Sequence, residues 1–202
     1  VSVTESDHVE TKPYERHRSI AAVILAAGAG SRFAGNEHKL LAEIDGVPMV
    51  RIVIDAARAA DVDEVVVVSG AIDLESLVPD DVTLLHNELW EDGQATSLRA
   101  AVAYAEMRGH SAIIIGLGDS PGVTSEIWNA VAAVDNDLVS ARYDGDLRPP
   151  VKLSAAMWAG LPVSGDEGAR ALMRARPDFV RPVPVEGNPH DIDTLEDLRR
   201  WS

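Results

Sequence analysis

Gly28, Gly30, Arg32 and Lys39 follow directly on an apolar run, Val23-Ile24-Leu25. Their types suit the binding of an anion. Glycines let a backbone turn tightly and approach a ligand closely. Successive backbone N–H groups in such a loop, residues 28–31 here, form a concave anion site. Arg32 and Lys39 then offer charge where a polyphosphate would lie. The chain is otherwise acidic, with a formal net charge of −15 and only three lysines, Lys12, Lys39 and Lys152. The same glycines also suit a plain strand-to-helix turn. Two well-known phosphate loops are excluded. A P-loop needs GxxxxGK[ST], but Lys39 lies between His38 and Leu40. A dinucleotide fingerprint needs GxGxxG, but Phe33 stands at its third glycine.

Acids form the second group. Asp119 sits just past an apolar strand, in Gly116-Leu117-Gly118-Asp119-Ser120-Pro121. Open α/β sheets bind ligands beyond the carboxyl ends of their strands. A carboxylate there suits Mg²⁺, which takes oxygen ligands and bridges to substrate phosphates. Gly-Asp-Ser-Pro is equally a good turn. Asp191 and Asp193 alternate along an extended segment, which at strand period puts both on one face. They are candidates to complete a metal shell with Asp119. Asp193 also precedes a helix start, where negative charge is favourable. None of the six histidines forms an HxxxH pair and there is no cysteine, which argues against structural zinc and excludes disulfides.

These residues need elements to position them. Strands are expected at 20–27, 64–69, 82–86 and 112–117, with further strands at 138–142, 150–153 and 180–185. Helices are expected from Pro48 to Ala60, over 94–108, from Thr124 through Val131, over the later part of 164–176, and from Thr194 to Trp201. The Pro-rich stretch 147–150 reads as a loop. Alternating strands and helices imply an α/β fold with a mostly parallel sheet. Residues 1–18 are polar and read as a disordered tail, leaving 19–202 as one domain. No apolar run is long enough to span a membrane, and no leader pattern opens the chain. A cytoplasmic protein without membrane association is expected. Acidity argues against non-specific nucleic-acid binding.

In order, Leu25-Ala26-Ala27-Gly28-Ala29-Gly30-Ser31-Arg32-Phe33, Gly35, Lys39-Leu40-Leu41 and Gly46-Val47-Pro48 resemble the LAAGxGxRxG signature of the MobA-like nucleotidyltransferases. Gly118-Asp119 resembles that family's metal-binding Asp motif, and residues 191–198 resemble its DIDTPEDL, with Leu195 in place of Pro. Asn87, Trp90, Gly93, Ser97 and Leu98 resemble NxxWxxGxxxSL, and residues 165–170 resemble GDxGAR. Where the family shows GHPV, this chain has Arg148-Pro149-Pro150-Val151.

The resemblance implies a Rossmann-related, GT-A-like nucleotidyltransferase fold with helices flanking a mostly parallel sheet. It implies transfer of NMP from an NTP to a phosphorylated acceptor, with release of pyrophosphate and with Mg²⁺ or Mn²⁺ as cofactor. Arg32, Lys39 and Asp119 would be catalytic. Residues 25–31 (Leu25, Ala26, Ala27, Gly28, Ala29, Gly30 and Ser31), Lys39, Asn87, Gly93 and Ser97 would bind nucleotide. In that reading Asn87 contacts base or ribose; a turn-forming role fits it as well. Asp119 with Asp191 or Asp193 would hold the metal. Arg148 and Arg170 are the acceptor candidates, although the polar turn before Arg170 equally suits a helix cap. Ala27 resembles the branch acting on CTP, with a molybdopterin cofactor as acceptor and a molybdoenzyme as eventual partner. Guanylyl transfer, transfer to sugar or alcohol phosphates, and a non-catalytic cofactor-delivery protein are the alternatives.

Overall fold

The computed structural model describes residues 18–33, 37–188 and 190–201. The expected tail, apart from Arg18, and Gly35 of the loop motif lie outside the described residues. The first strand, β1 (Ile20–Ala26), is buried along almost its whole length. A strand with helices on both faces of its sheet must be apolar on both sides, and this one is. Ala21, Val23 and Leu25 join one core cluster, and Ala22, Ile24 and Ala26 join another. Burying one such Val, Ile or Leu side chain contributes about 1.5–3 kcal/mol.

After β1 come a two-residue hairpin, β2 (Glu43–Ile44) and β3 (Val47–Pro48), and helix α1 (Met49–Arg58). Asp45 and Gly46 between the hairpin strands both have positive φ, 52° and 78°, the geometry whose twist matches paired strands. Then follow β4 (Glu64–Ser69), β5 (Thr83–His86), α2 (Gln94–Arg108), β6 (Ala112–Leu117) and α3 (Ser125–Ala132). The last third adds β7 (Leu138–Tyr143), β8 (Asp146–Ser154), α4 (Ala155–Trp158), α5 (Ala169–Ala175), β9 (Val180–Pro184) and α6 (Leu195–Trp201).

The central sheet has seven strands in the order β5-β4-β1-β6-β8-β7-β9. β5, β4, β1 and β6 are mutually parallel, and β8 alone runs against its neighbours. α1 and α3 cover one face; α2, α4 and α5 cover the other. The chain winds outward from β1 through β4 to β5, then returns across α2 to β6 on the other side of β1. Strand order therefore reverses between β1 and β6, and a crevice opens at their carboxyl ends.

One expectation is corrected. Residues 147–150 belong to β8 and are not a loop. Proline is tolerated in a sheet where no ladder N–H is needed. Ser140 pairs with Val151 and Ala141 with Arg148, so Pro149 and Pro150 fall in a register shift. The pairing of β8 with β6 stops at Val151, before either proline. The hairpin from β7 to β8 consequently projects beyond the carboxyl end of β6.

A polar network ties the opposite end of the sheet. Glu64 accepts hydrogen bonds from Thr83 (2.8 Å), Tyr104 (2.5 Å), Arg108 (3.3 Å) and the His110 ring (2.9 Å). Burial alone would raise the Glu64 pKa, but these donors outweigh it and bring it from 4.5 to about 2. A carboxylate whose pKa is depressed by folding stabilises the native state above its unfolded pKa. That contribution is lost as pH falls from about 4.5 towards about 2. Glu64→Gln is expected to cost about 1–3 kcal/mol at neutral pH by leaving buried donors poorly matched. Denaturant titrations at pH 7 and pH 3 should show a smaller acid penalty in the variant than in the wild type. An equal penalty in both would show that Glu64 is not the group responsible.

Candidate active site

Loops at the carboxyl ends of β1, β5 and β6 enclose a cleft of about 480 Å³. Its floor is the loop after β1. Gly30 has φ +61°, a conformation that side chains disfavour, and a Cβ there would lie 3.1 Å from His38 Nε2 and from Lys39 Cγ. His38 Nε2 donates to the Gly28 carbonyl at 2.9 Å, and its Nδ1 accepts from Leu40 N at 3.3 Å. The bond from Leu40 N needs an unprotonated Nδ1 and hence the neutral ring, and burial holds the His38 pKa below its usual value. His38 thus clamps the glycine loop to the 3₁₀ turn that carries Lys39. Phe33, at the missing third glycine, is buried with Ile44, Met49 and Ile192.

The acids arrive from two segments. Asp119 follows β6, and its backbone carbonyl accepts from Ile192 N at 2.9 Å. Ile192 is fully buried and anchors the segment bearing Asp191 and Asp193. Thr194 and Asp197 cap each other across the start of α6: Asp197 Oδ2 accepts from Thr194 N and Oγ1, and Asp197 N donates to Thr194 Oγ1. This is the reciprocal cap that fixes a helix entry.

Lys39 Nζ donates to both Asp119 Oδ2 and Asp193 Oδ1, the latter at 3.0 Å. Arg32 Nη1 lies 2.9 Å from Asp193 Oδ2. Burial alone would lower the Lys39 pKa, but the charge of Asp119 and bonds to both carboxylates raise it above its usual value. Asp191 is turned aside and accepts from Ser120 Oγ at 2.6 Å. Burial, then the nearby Asp119 charge, push its pKa up.

Of the residues singled out from sequence, 25–32, Lys39, Gly93, Ser97, Asp119 and Asp193 line the cleft. Asp191 does not. Asn87 does not either, and its amide is committed to protein partners instead of facing a base or ribose. It donates to Thr96 Oγ1 and Ser97 Oγ, both at 2.9 Å, and accepts from Leu89 N at 3.0 Å. It shapes the wall from behind. Arg148 sits half-buried in β8, and Arg170 is exposed on α5; neither reaches the cleft. Trp90, Glu91, Gln94 and Asp166 line it and were not singled out as contacts. Trp90 and Asp166 carried a sequence signal through the family-like segments that contain them, while Glu91 and Gln94 carried none.

The arrangement is a cation-lined glycine loop facing two carboxylates at a strand-order reversal. Residues 22–180 match the model of the MobA-like NTP transferase domain. The chain belongs to this family. The MobA-like chain is 38% identical over 117 residues to the bifunctional protein GlmU of Alkaliphilus oremlandii, covering 56% of the chain and 25% of that protein. It therefore spans about a quarter of that curated relative's length. A crystal structure of Rv0371c from Mycobacterium tuberculosis, in complex with manganese, is 26% identical with a TM-score of 0.76, covering 91% of this chain and 97% of that one. A nucleotidyl transferase from Methanothermobacter, Mth528, is 25% identical with a TM-score of 0.76, covering 91% and 96%. Among the described residues of this MobA-like chain, no helix is long and apolar enough to cross a membrane.

Proposed function

We propose that this cleft transfers a nucleotidyl group from an NTP to a phosphorylated small-molecule acceptor. An acceptor phosphate oxygen attacks the α-phosphorus, the bond from that phosphorus to the bridging oxygen breaks, and pyrophosphate leaves. The observation that carries the reading is the convergence of the glycine loop, Arg32, Lys39, Asp119 and Asp193 in one crevice. The N–H groups of residues 28–31 would cradle the phosphates. Arg32 and Lys39 would neutralise them, with Lys39 nearest the α-phosphate. In-line positioning and charge stabilisation would supply the rate enhancement.

The carboxylates suit a divalent cation. Oxygens from two separate segments already share one cation, the Lys39 ammonium. Among the described residues no cluster of three or more acidic, His or Cys side chains is arranged for a metal. Two carboxylates with substrate phosphates completing the shell is the usual Mg²⁺ arrangement. Asp119 and Asp193 would hold the ion, which when bound would stabilise charge on the α- and β-phosphate oxygens. Asp191, held by Ser120, would support the segment. The manganese complex of Rv0371c supports this reading.

For the base we propose CTP, on the small buried side chain of Ala27 at the cleft wall. For the acceptor we propose a molybdopterin-type phosphate. Arg148 is the candidate contact, since its hairpin projects past β6 on the cleft side of the sheet. Arg170 is a second candidate on the adjoining surface. Each common NTP assayed against molybdopterin and sugar phosphates, read as pyrophosphate, tests these assignments. CTP with molybdopterin should be fastest. Faster GTP would overturn the base assignment, and a preferred sugar phosphate would overturn the acceptor. Nucleotide binding without turnover would leave a delivery protein instead.

The His38 clamp gives a further expectation. His38→Ala removes hydrogen bonds worth about 1 kcal/mol each. The KM for NTP should rise roughly 2- to 10-fold, with stability lowered by about 1–2 kcal/mol. An unchanged KM would show that the clamp does not govern the loop.

A further inference from the structure

Lys39 does in this structure what a metal ion would do. Its ammonium joins Asp119 and Asp193 across the cleft, with only 12% of its side chain exposed. Arg32 occupies the other oxygen of Asp193. The carboxylates are held by their own segments: Asp119 through its carbonyl to Ile192 N, and Asp193 through its N–H to Asp197. Lys39 is different. Its backbone is fixed in the 3₁₀ turn, but its charge sits at the end of a flexible four-carbon stem. An ammonium within hydrogen-bond distance of these oxygens repels any divalent ion brought to them.

We propose that Lys39 is a displaceable internal cation that keeps divalent metal off Asp119 and Asp193 until a polyphosphate draws it away. Metal and nucleotide loading are then coupled through one side chain. Free in the cell, the protein does not hold metal on its own carboxylates. When triphosphate enters the glycine loop, Lys39 swings to the phosphates, and the two carboxylates become available together. This rests on the cleft being an NTP and metal site. Its test uses neither nucleotide nor turnover, so its outcome is separate from that of the transfer assay.

The experiment is a titration of the full chain with Mn²⁺ alone, following free Mn²⁺ by electron paramagnetic resonance. Wild type should bind weakly. Lys39→Met should bind at least about tenfold tighter, within the usual range of coupling between sites. Lys39→Gln, neutral but polar, should show the same gain and covers the case in which the methionine variant fails to fold. Lys39→Arg keeps the charge and should stay as weak as wild type. Adding Asp119→Asn to Lys39→Met should abolish the gain. Mn²⁺ affinity equal to wild type in both neutral variants would overturn the proposal, as would a gain that survives Asp119→Asn.

Discussion

Asp119→Asn should lower turnover by about 10²- to 10³-fold, the scale seen when a preorganised charge-stabilising group is removed. The fold should be little affected. The contact tying Asp119 to the segment after β9 runs through its backbone carbonyl to Ile192 N, which the substitution keeps. Lys39 also retains Asp193 as a partner at 3.0 Å. Circular dichroism and a melting curve should therefore resemble wild type while pyrophosphate release collapses at saturating NTP and metal. Turnover within roughly fivefold of wild type would remove Asp119 from the catalytic machinery, since a lost electrostatic contact costs far more. Asp191→Asn should have a much smaller effect, because Asp191 faces Ser120 and does not line the cleft.

Gly93→Ala should be the most damaging substitution on the cleft rim. Gly93 has φ +101°, and a Cβ there would lie 2.6 Å from both the carbonyl carbon and oxygen of Gly165. The obstacle is backbone, so no rotamer relieves it. Two bonds hold the loops together at this point: Ala95 N to Gly165 O at 2.9 Å and Gly165 N to Asp92 O at 3.0 Å. Strain and overpacking together predict a loss of about 2–6 kcal/mol, measurable by denaturant titration. Because Gly93, Gln94 and Asp166 all line the cleft, nucleotide affinity should fall as well. Gly28→Ala provides the contrast. A Cβ there meets no atom within 4 Å, so stability should hold while the methyl group intrudes on the phosphate site and raises the KM. Gly93→Ala as stable as wild type would show that the two loops can part freely.

Much of this was legible because the signals were local and strong. A doubly buried parallel strand needs an unbroken apolar run, and β1, β4 and β6 each have one. Gly28 and Gly30 beside Arg32 and Lys39 combine backbone freedom with charge, and both cations line the cleft. Asp119 was legible from its place beyond a strand end. The last helix was expected from Thr194, which is where its reciprocal cap with Asp197 forms. What escaped depends on partners distant in sequence. Asn87 looks equally like a ligand contact and a turn residue until Thr96 and Ser97 are seen to take its amide. Asp191 and Asp193 share a period, but only the positions of Ser120 and Lys39 separate their roles. Pro149 and Pro150 argue for a loop until the register shift against β7 shows where a strand can carry them. His38 is one histidine among six in the sequence, and nothing but the approach of the Gly28 carbonyl marks it. Arg148 and Arg170 are cations in family-like segments, yet neither enters the cleft.

The most direct test follows the α-phosphorus itself. An NTP radiolabelled at that atom is incubated with the protein, divalent metal and a phosphorylated acceptor, and the label is traced. Transfer from the cleft predicts label joined to the acceptor, pyrophosphate released in equal amount, and loss of both when either acceptor or metal is omitted. Label recovered only in intact NTP, or released as NMP whether or not acceptor is present, would contradict it.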